Sequence, residues 1–451
     1  MKTLPLLPLL AALLALGLPA RAIEIQQVVS PGGIEAWLVE DRSNPILAVS
    51  FAFGGGAASD PAGKAGRANL AAALLGEGAG ELDAAAFRGE LERRSIDLSF
   101  DAERDNLYGT LVTLSDRRQR AGALLAMALT EPRFDGEAME RIRWQVMSAL
   151  AHREHRPEAR AAEALQASLF PGHPYGRPRQ GTPASVAALE TADLEAFVAE
   201  RLARDNLIVG VVGDIAAAEL GPYLDALFGG LPEKAAPLAV EETRVQAAGH
   251  RQRLELPVPQ SSIMLAQQGP LRDDPDYYAL AVVDKVLGGG SFSSRLYREV
   301  REKRGLAYGV WSRLRPMDKA GIWYAGTSTQ TGRVGEAVAV IREVWRDLAE
   351  EGPTDVEIGQ AVDYIVGSFL LSLSSSEAIA RTLVAIQDAE LGIDYIDRRQ
   401  QIFEGLTPEE IRAAARRWLQ PEALAIVIVG AAPEPEAAAI DAEAPAAPGT
   451  D

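Results

Sequence analysis

Apolar positions along the chain fall into short alternating runs and longer stretches with helical spacing. Alternation, or runs rich in Val, Ile and Phe, predicts strands near 24–30, 34–40, 46–53, 96–102 and 106–113. Between and after them, apolar residues recur every three to four positions near 65–77, 82–94, 116–129, 136–153 and 157–169, the period of helices buried along one face. The second half repeats the scheme. Strands are expected near 251–256, 262–268, 307–313 and 321–328, and helices near 276–287, 294–303, 333–350, 354–374 and 377–391. Strands in consecutive groups with long helices between them predict an α+β fold of largely antiparallel sheets packed against helices.

The two halves also end alike. Residues 184–213 read ASVAALETADLEAFVAERLARDNLIVGVVG, and residues 404–430 read EGLTPEEIRAAARRWLQPEALAIVIVG. In each, a Thr (Thr191, Thr407) is placed to cap an amphipathic helix, with Glu410 at the capping-box position in the second copy. A polar break and a Val/Ile strand ending in Gly follow. Matching ends about 217 residues apart imply tandem homologous domains. Pro232, Pro237 and weak periodicity mark 231–249 as the linker. The boundaries that follow are 23–230 for the first domain and 250–430 for the second.

The termini narrow the setting. Lys2, a Leu/Ala-rich run to Leu18 and the small residues Ala20 and Ala22 form a secretory signal, with cleavage expected after Ala22. Pro5, Pro8 and Pro19 interrupt that run, and nothing later is apolar enough to span a bilayer, so no stable membrane insertion is expected. A periplasmic protein of about 429 residues results. Without cysteine it forms no disulfide and carries no lipid anchor on a thiol. The net charge of −18 becomes about −20 once Lys2 and Arg21 leave, which excludes an electrostatic footprint for nucleic acid. Residues 431–451, rich in Ala, Pro and acid, have the composition of a disordered tail.

One segment carries a recognisable pattern. Residues 54–80, GGGAASDPAGKAGRANLAAALLGEGAG, resemble the start of the catalytic helix in the insulinase/pitrilysin family of inverted zincins, which includes the mitochondrial processing peptidase. Members have a Gly-rich turn, an acidic residue, and G-x-x-G-x-A leading into H-x-x-E-H. Gly63 to Ala68 match the lead-in, but the motif itself is Asn69-Leu70-Ala71-Ala72-Ala73. Two histidines at i and i+4 share a helix face and one ion, and the Glu between them activates the bound water. Asn69 is a poor zinc ligand, and Ala72 and Ala73 offer no donor atom. The family's third ligand, a Glu about 75 to 80 residues further on, falls near Ala149. No metal is therefore expected in this chain.

Other histidines provide weak alternatives. His152 and His155 form H-x-x-H at the end of the 136–153 helix, with no third ligand in evidence; a stand-alone metal protein using them is the third reading of the chain. His173, in FPGHPYGRPRQGT, matches a Pro/Gly loop of the family and is expected to be structural, while His250 stands alone in the linker segment.

The second half resembles the family over GGGSFSSRLYREVREKRGLAY, residues 288–308. There the family presents an Arg and a Tyr, seven residues apart, toward the zinc across the substrate; the matching residues are Arg301 and Tyr308. The resemblance implies that Arg301 holds a substrate carbonyl and that Tyr308 donates to the developing oxyanion. Gly288, Gly289 and Gly290 permit positive φ and close backbone approach, and a Ser is placed to cap the helix that starts near Arg295. With Ser291 and Phe292 they resemble the glycine-rich loop of the processing peptidase's non-catalytic subunit, which implies substrate contact. As a whole, the resemblance implies the zinc-free subunit of a heterodimeric metallopeptidase. An H-x-x-E-H-containing partner would supply the zinc, and an extended peptide would add to a sheet edge. The alternative is a non-catalytic binding or scaffolding protein with the same fold.

Overall fold

A computed structural model describes residues 23–432; the expected signal segment and all but the start of the acidic tail lie outside the described residues. Six strands form the first sheet: β1 (Gln26–Val29), β2 (Glu35–Glu40), β3 (Ile46–Gly54), β4 (Asp97–Ala102), β5 (Asn106–Leu114) and β6 (Leu207–Gly213), in the order β1-β2-β6-β3-β5-β4. Its helices are α1 (Arg67–Leu74), α2 (Ala84–Arg93), α3 (Arg118–Thr130), α4 (Gly136–Glu154), α5 (Pro157–Leu169), α6 (Pro183–Ala187), α7 (Thr191–Arg201) and α8 (Ala217–Phe228). The second sheet holds β7 (Arg251–Glu255), β8 (Gln260–Gln268), β9 (Ala307–Pro316), β10 (Gly321–Gln330) and β11 (Ala425–Gly430), in the order β7-β11-β8-β10-β9. With it go α9 (Tyr277–Asp284), α10 (Val334–Glu350), α11 (Asp355–Ser372), α12 (Ser376–Asp388), α13 (Tyr395–Glu404) and α14 (Pro408–Trp418).

Leaving β1 aside, the two sheets have the same connectivity. Each is antiparallel except for one pair, β2 with β6 and β7 with β11. The duplication read from the helix–strand endings is thus a duplication of topology, and it makes β4 and β9 equivalent edge strands. The central strands β3 and β8 are almost wholly buried, β3 along a mostly apolar run and β8 around its Ile-Met-Leu-Ala centre.

On one face of the first sheet Phe51 and Phe53 pack edge-on, and Phe51 also meets Phe228 of α8, at centroid separations of 5.8 and 5.4 Å. The second sheet buries Trp323 beside Trp345 of α10, with the rings tilted and their centroids 5.7 Å apart. The opposite faces are covered by exchange. Helix α5, from the first half, lays Ala161, Leu165 and Leu169 against Met264, Ala266, Val427 and Val429 of the second sheet. Helix α12, from the second half, lays Ala380, Leu383 and Ile386 against Trp37, Ala48 and Val212 of the first. The approach is close enough that a Cβ on Gly210 would sit 2.6 Å from the Ala380 carbonyl oxygen. Burying Leu383 and Ile386 contributes roughly 3–6 kcal/mol of transfer free energy.

The segment 231–249 has no helix or strand, yet it is tied down. Thr243 N–H donates to Lys319 O (2.9 Å) and Gln246 N–H to Leu169 O (3.0 Å). One capping expectation is corrected. Glu190, not Thr191, is the N-cap of α7, because the Asp193 carboxylate reaches back to the Glu190 N–H at 2.9 Å and makes Thr191 the first helical residue. Thr407 caps α14 as expected, with Glu410 returning the bond at 2.8 Å. Among the described residues no helix is long and apolar enough to cross a membrane.

Candidate functional site

Helix α1 starts from a buried acid. The Asp60 carboxylate accepts from Gly66 N–H (2.8 Å) and Ala68 N–H (2.9 Å), so it satisfies two of the first-turn donors. Arg67, also buried, lies 3.8 Å from Asp60 and 3.0 Å from Glu200. Burial pushes the Asp60 carboxyl up to about 6, against the pull of those N–H groups and of Arg67. On this helix Asn69 is half-buried, Ala72 buried and Ala73 exposed, and α4 packs alongside with Ala149 exposed. A catalytic zinc does not fit these residues: two methyl groups and an amide stand on α1, and a third methyl group on α4. His152 lies in the last turn of α4 and His155 is its C-cap residue; among the described residues no group of three His, Cys, Asp or Glu is placed to hold a metal. His173 closes a turn, its Nδ1 accepting from Tyr175 N–H (3.1 Å) and its Nε2 donating to Glu241 O (3.0 Å). His250 lies in the turn before β7, exposed.

The second half is built differently. After α9 the chain passes through a π-helical turn, Lys285–Gly289, and a second, Tyr297–Glu302, lies just before β9. Of the two uses that glycine permits here, none of Gly288, Gly289 and Gly290 adopts positive φ. What they supply is closeness: a Cβ on Gly288 would stand 2.5 Å from Ser312 N, and one on Gly290 2.6 Å from Lys285 O. Asp284 fastens this loop to the sheet, accepting from Ser312 Oγ and Trp323 Nε1, both at 2.7 Å. Ser294 Oγ accepts from Tyr297 N–H (3.4 Å), the expected cap. Phe292 is exposed, and the Ser291 side chain lies outside the described residues.

An aromatic–cationic stack links this loop to the Arg and Tyr singled out in the sequence. The Phe292 ring meets Tyr297 edge-on at 5.0 Å. The Arg301 guanidinium lies 4.8 Å from the Tyr297 ring centroid and 4.5 Å from that of Tyr308. Among the described residues it forms no ion pair, so its N–H groups are open to a ligand. Tyr308 itself is 87% exposed.

Its exposure has a backbone cause. Ala307 pairs with Thr329 and Val310 with Thr327, so Tyr308 and Gly309 together face Ser328 alone. This is a β-bulge, which twists the edge and re-aims a side chain. Buried threonines of β10 take up the carbonyls beside it: Thr327 Oγ1 donates to Gly309 O (2.8 Å) and Thr329 Oγ1 to Leu306 O (2.6 Å). Beside the bulge a cavity of about 560 Å³ is lined by Tyr308, Trp311, Met264, Leu306 and Glu158, the last reaching over from α5. The sequence reading missed Thr327, Thr329 and Trp311; Gly309 inside a strand pattern was the one signal of a bulge.

A family model described as the peptidase M16 inactive domain matches residues 188–364, which take in Arg301 and Tyr308 and leave α1 out. The chain is 28% identical over 351 residues to an uncharacterized zinc protease of Streptomyces coelicolor, covering 73% of this chain and 75% of that one. It is 26% identical over 355 residues to a non-peptidase homolog, YmxG, of Helicobacter pylori, covering 78% and 81%. The crystal structure of a peptidase M16 inactive domain from Pseudomonas fluorescens superposes with a TM-score of 0.86 at 29% identity, over 91% of this chain and 98% of that one.

The chain resembles the M16 peptidases in sequence and in fold. It lacks the H-x-x-E-H motif and has the two-sheet fold of its M16 neighbours. Within an M16 frame, the α1 region retains packing without metal donors. The β9 region presents an open guanidinium and an exposed phenol beside a cavity, groups able to hold a carbonyl and to stabilise an oxyanion.

Proposed function

We propose that this chain is the non-zinc subunit of a heterodimeric periplasmic metallopeptidase. A partner carrying H-x-x-E-H would bring the zinc and the attacking water. This chain binds an extended peptide at an exposed sheet edge through main-chain hydrogen bonds. Arg301 holds the scissile carbonyl by charge-assisted hydrogen bonds, and the Tyr308 hydroxyl donates to the oxygen as it gains charge. The observation that carries this reading is the bulge at Tyr308–Gly309. It turns a large aromatic out to solvent next to an unpaired guanidinium, an arrangement that stability alone does not reward.

The test mixes this chain with an exported H-x-x-E-H protein encoded beside it. Hydrolysis of a quenched peptide is expected only from the mixture. Arg301→Ala and Tyr308→Phe should each lower kcat by about 100-fold or more while the two subunits still co-elute. Equal cleavage by the variants would sink the assignment. A second reading, a non-catalytic binding protein, is supported by the absence of metal donors on α1 and by the non-peptidase name of the Helicobacter relative. It predicts a stable complex that hydrolyses nothing.

A further inference from the structure

Arginines gather where the ends of the two edge strands meet. A cavity of about 490 Å³ is lined by Arg104, Arg153, Arg177, Arg179 and Arg315, with Glu103 and Glu163 as its only acids among the described residues. Arg104 follows β4, Arg315 lies near the end of β9, and Arg177 and Arg179 come from the Pro/Gly loop around His173. Five guanidinium groups line it against two carboxylates, with Asp101 3.7 Å from Arg179 and Asp105 acting on Arg104 from outside the lining, in a chain whose net charge is −18.

The acids do not neutralise the innermost arginine. Arg153 is taken by Glu163 (2.8 Å) and Arg179 by Glu103, which also lies 3.8 Å from Arg315. Arg104 is 7% exposed, donates only to the carbonyl oxygens of Tyr175 (2.7 Å) and Arg177 (3.4 Å), and has a buried Nε with no partner. Its guanidinium is pushed down to about 10, first by burial and then by repulsion from Arg315, with Asp105 and Tyr175 pulling the other way and Arg179 adding a smaller repulsion. An anion between these three groups would relieve both effects. The same cavity holds Gln180, whose side-chain Oε1 is shielded from solvent and also has no partner. The site thus asks for an anionic acceptor with an N–H donor close by. A carboxylate next to an amide offers both, whereas a phosphate dianion offers no donor.

We propose that this cavity binds a peptide carboxylate: the free C-terminus, or an Asp or Glu side chain, held by Arg104, Arg179 and Arg315 with the neighbouring amide N–H on Gln180. The proposal rests on the peptide-binding reading above and adds the charge of the substrate to it. Arg315 comes seven residues after Tyr308 on β9, a span of roughly 23 Å for an extended chain. The carboxylate would therefore anchor one end of a peptide lying along that edge.

The test uses the full chain alone and measures anisotropy of a dye-labelled decapeptide with no acidic side chain. The free-acid form is expected to bind at least ten-fold more tightly than its C-terminal amide. Arg315→Gln, at a partly exposed position, should bring the free acid to the level of the amide and leave the Kd of the amide unchanged; Arg179→Gln should do the same. An amidated peptide with one internal Asp separates the sources. Tight binding assigns the site to side-chain acids, and weak binding assigns it to the C-terminus. Equal affinity of the free acid, the amide and the amidated Asp peptide for the unaltered chain would overturn the proposal. So would displacement of the peptide by inorganic phosphate but not by an N-acetyl amino acid. Because no partner is present, a failed cleavage assay leaves this result standing. Cleavage that depends on Arg301 while acid and amide bind alike would remove only the anchor.

Discussion

In the first half, the positions of the degenerate motif rest in ordinary packing; in the second, the matching cleft-facing region carries unusual backbone. Helix α1 has regular geometry, a buried carboxylate that satisfies its first turn, and alanines where metal donors would stand. The path to β9 runs through two π-helical turns, a bulge and an exposed tyrosine. Each of those features weakens hydrogen bonding or leaves apolar surface wet. Where function is absent, a fold relaxes to what packs; where costly geometry remains beside an open guanidinium, something other than stability accounts for it.

The widest separation between the two regions is expected in catalysis by the proposed complex. Ala73→His and Ala149→Glu, both at exposed positions, should leave cleavage within about twofold, against the hundredfold losses expected at Arg301 and Tyr308. A comparable loss from the α1 and α4 changes would place the active surface in the wrong half.

Stability should divide the regions next. Thr329→Val leaves the Leu306 carbonyl without its partner and should cost about 1–3 kcal/mol in denaturant unfolding. Asn69→Ala, at a side chain with no hydrogen bond among the described residues, should stay within about 0.5 kcal/mol.

Acid should act on the two regions in opposite senses. Asp60 has a folded pKa of about 6, above its unfolded value of 3.8, so its contribution is full below that value and is lost as pH rises through 6. Glu357 receives Arg295, the residue that opens the helix carrying Arg301, at 2.7 and 2.8 Å. Burial works to raise its carboxyl, but Arg295 and the Thr354 N–H and hydroxyl outweigh that and hold it at about 2. Its contribution is present above 4.5 and lost as pH falls toward 2. Hydrogen exchange should therefore show residues 60–75 better protected at pH 5 than at pH 7.5. Residues 294–303 should hold until pH falls below about 4. Asp60→Asn and Glu357→Gln should each flatten their own profile only.

Much of this was legible in the chain. The period of residues 157–169 gave α5 at its observed ends, and the Val/Ile run at 425–430 gave β11. Periodicity tells that a face is buried, not against what, and so the exchange of α5 and α12 between sheets could not be read. Helix α8 went unread because Pro222 sits inside it, and α13 because it is short and mostly polar. At the site, Arg301 and Tyr308 were found by resemblance. The cavity arginines were not, because Arg104, Arg179 and Arg315 are far apart in sequence and converge only when the two edges meet.

The exchanged helices also set an order of events during synthesis. The first sheet is complete at Gly213, but the helix that covers its Trp37, Ala48 and Val212 face ends only at Asp388. Until that point is made, a finished sheet waits with one greasy side bare, open to any other chain in the same condition. Folding this late-closing contact is slow for the reason that all distant contacts are slow. A truncated product ending near residue 230 should therefore collect in the insoluble fraction, and a cell that makes the full chain needs something to shield that face in the interval.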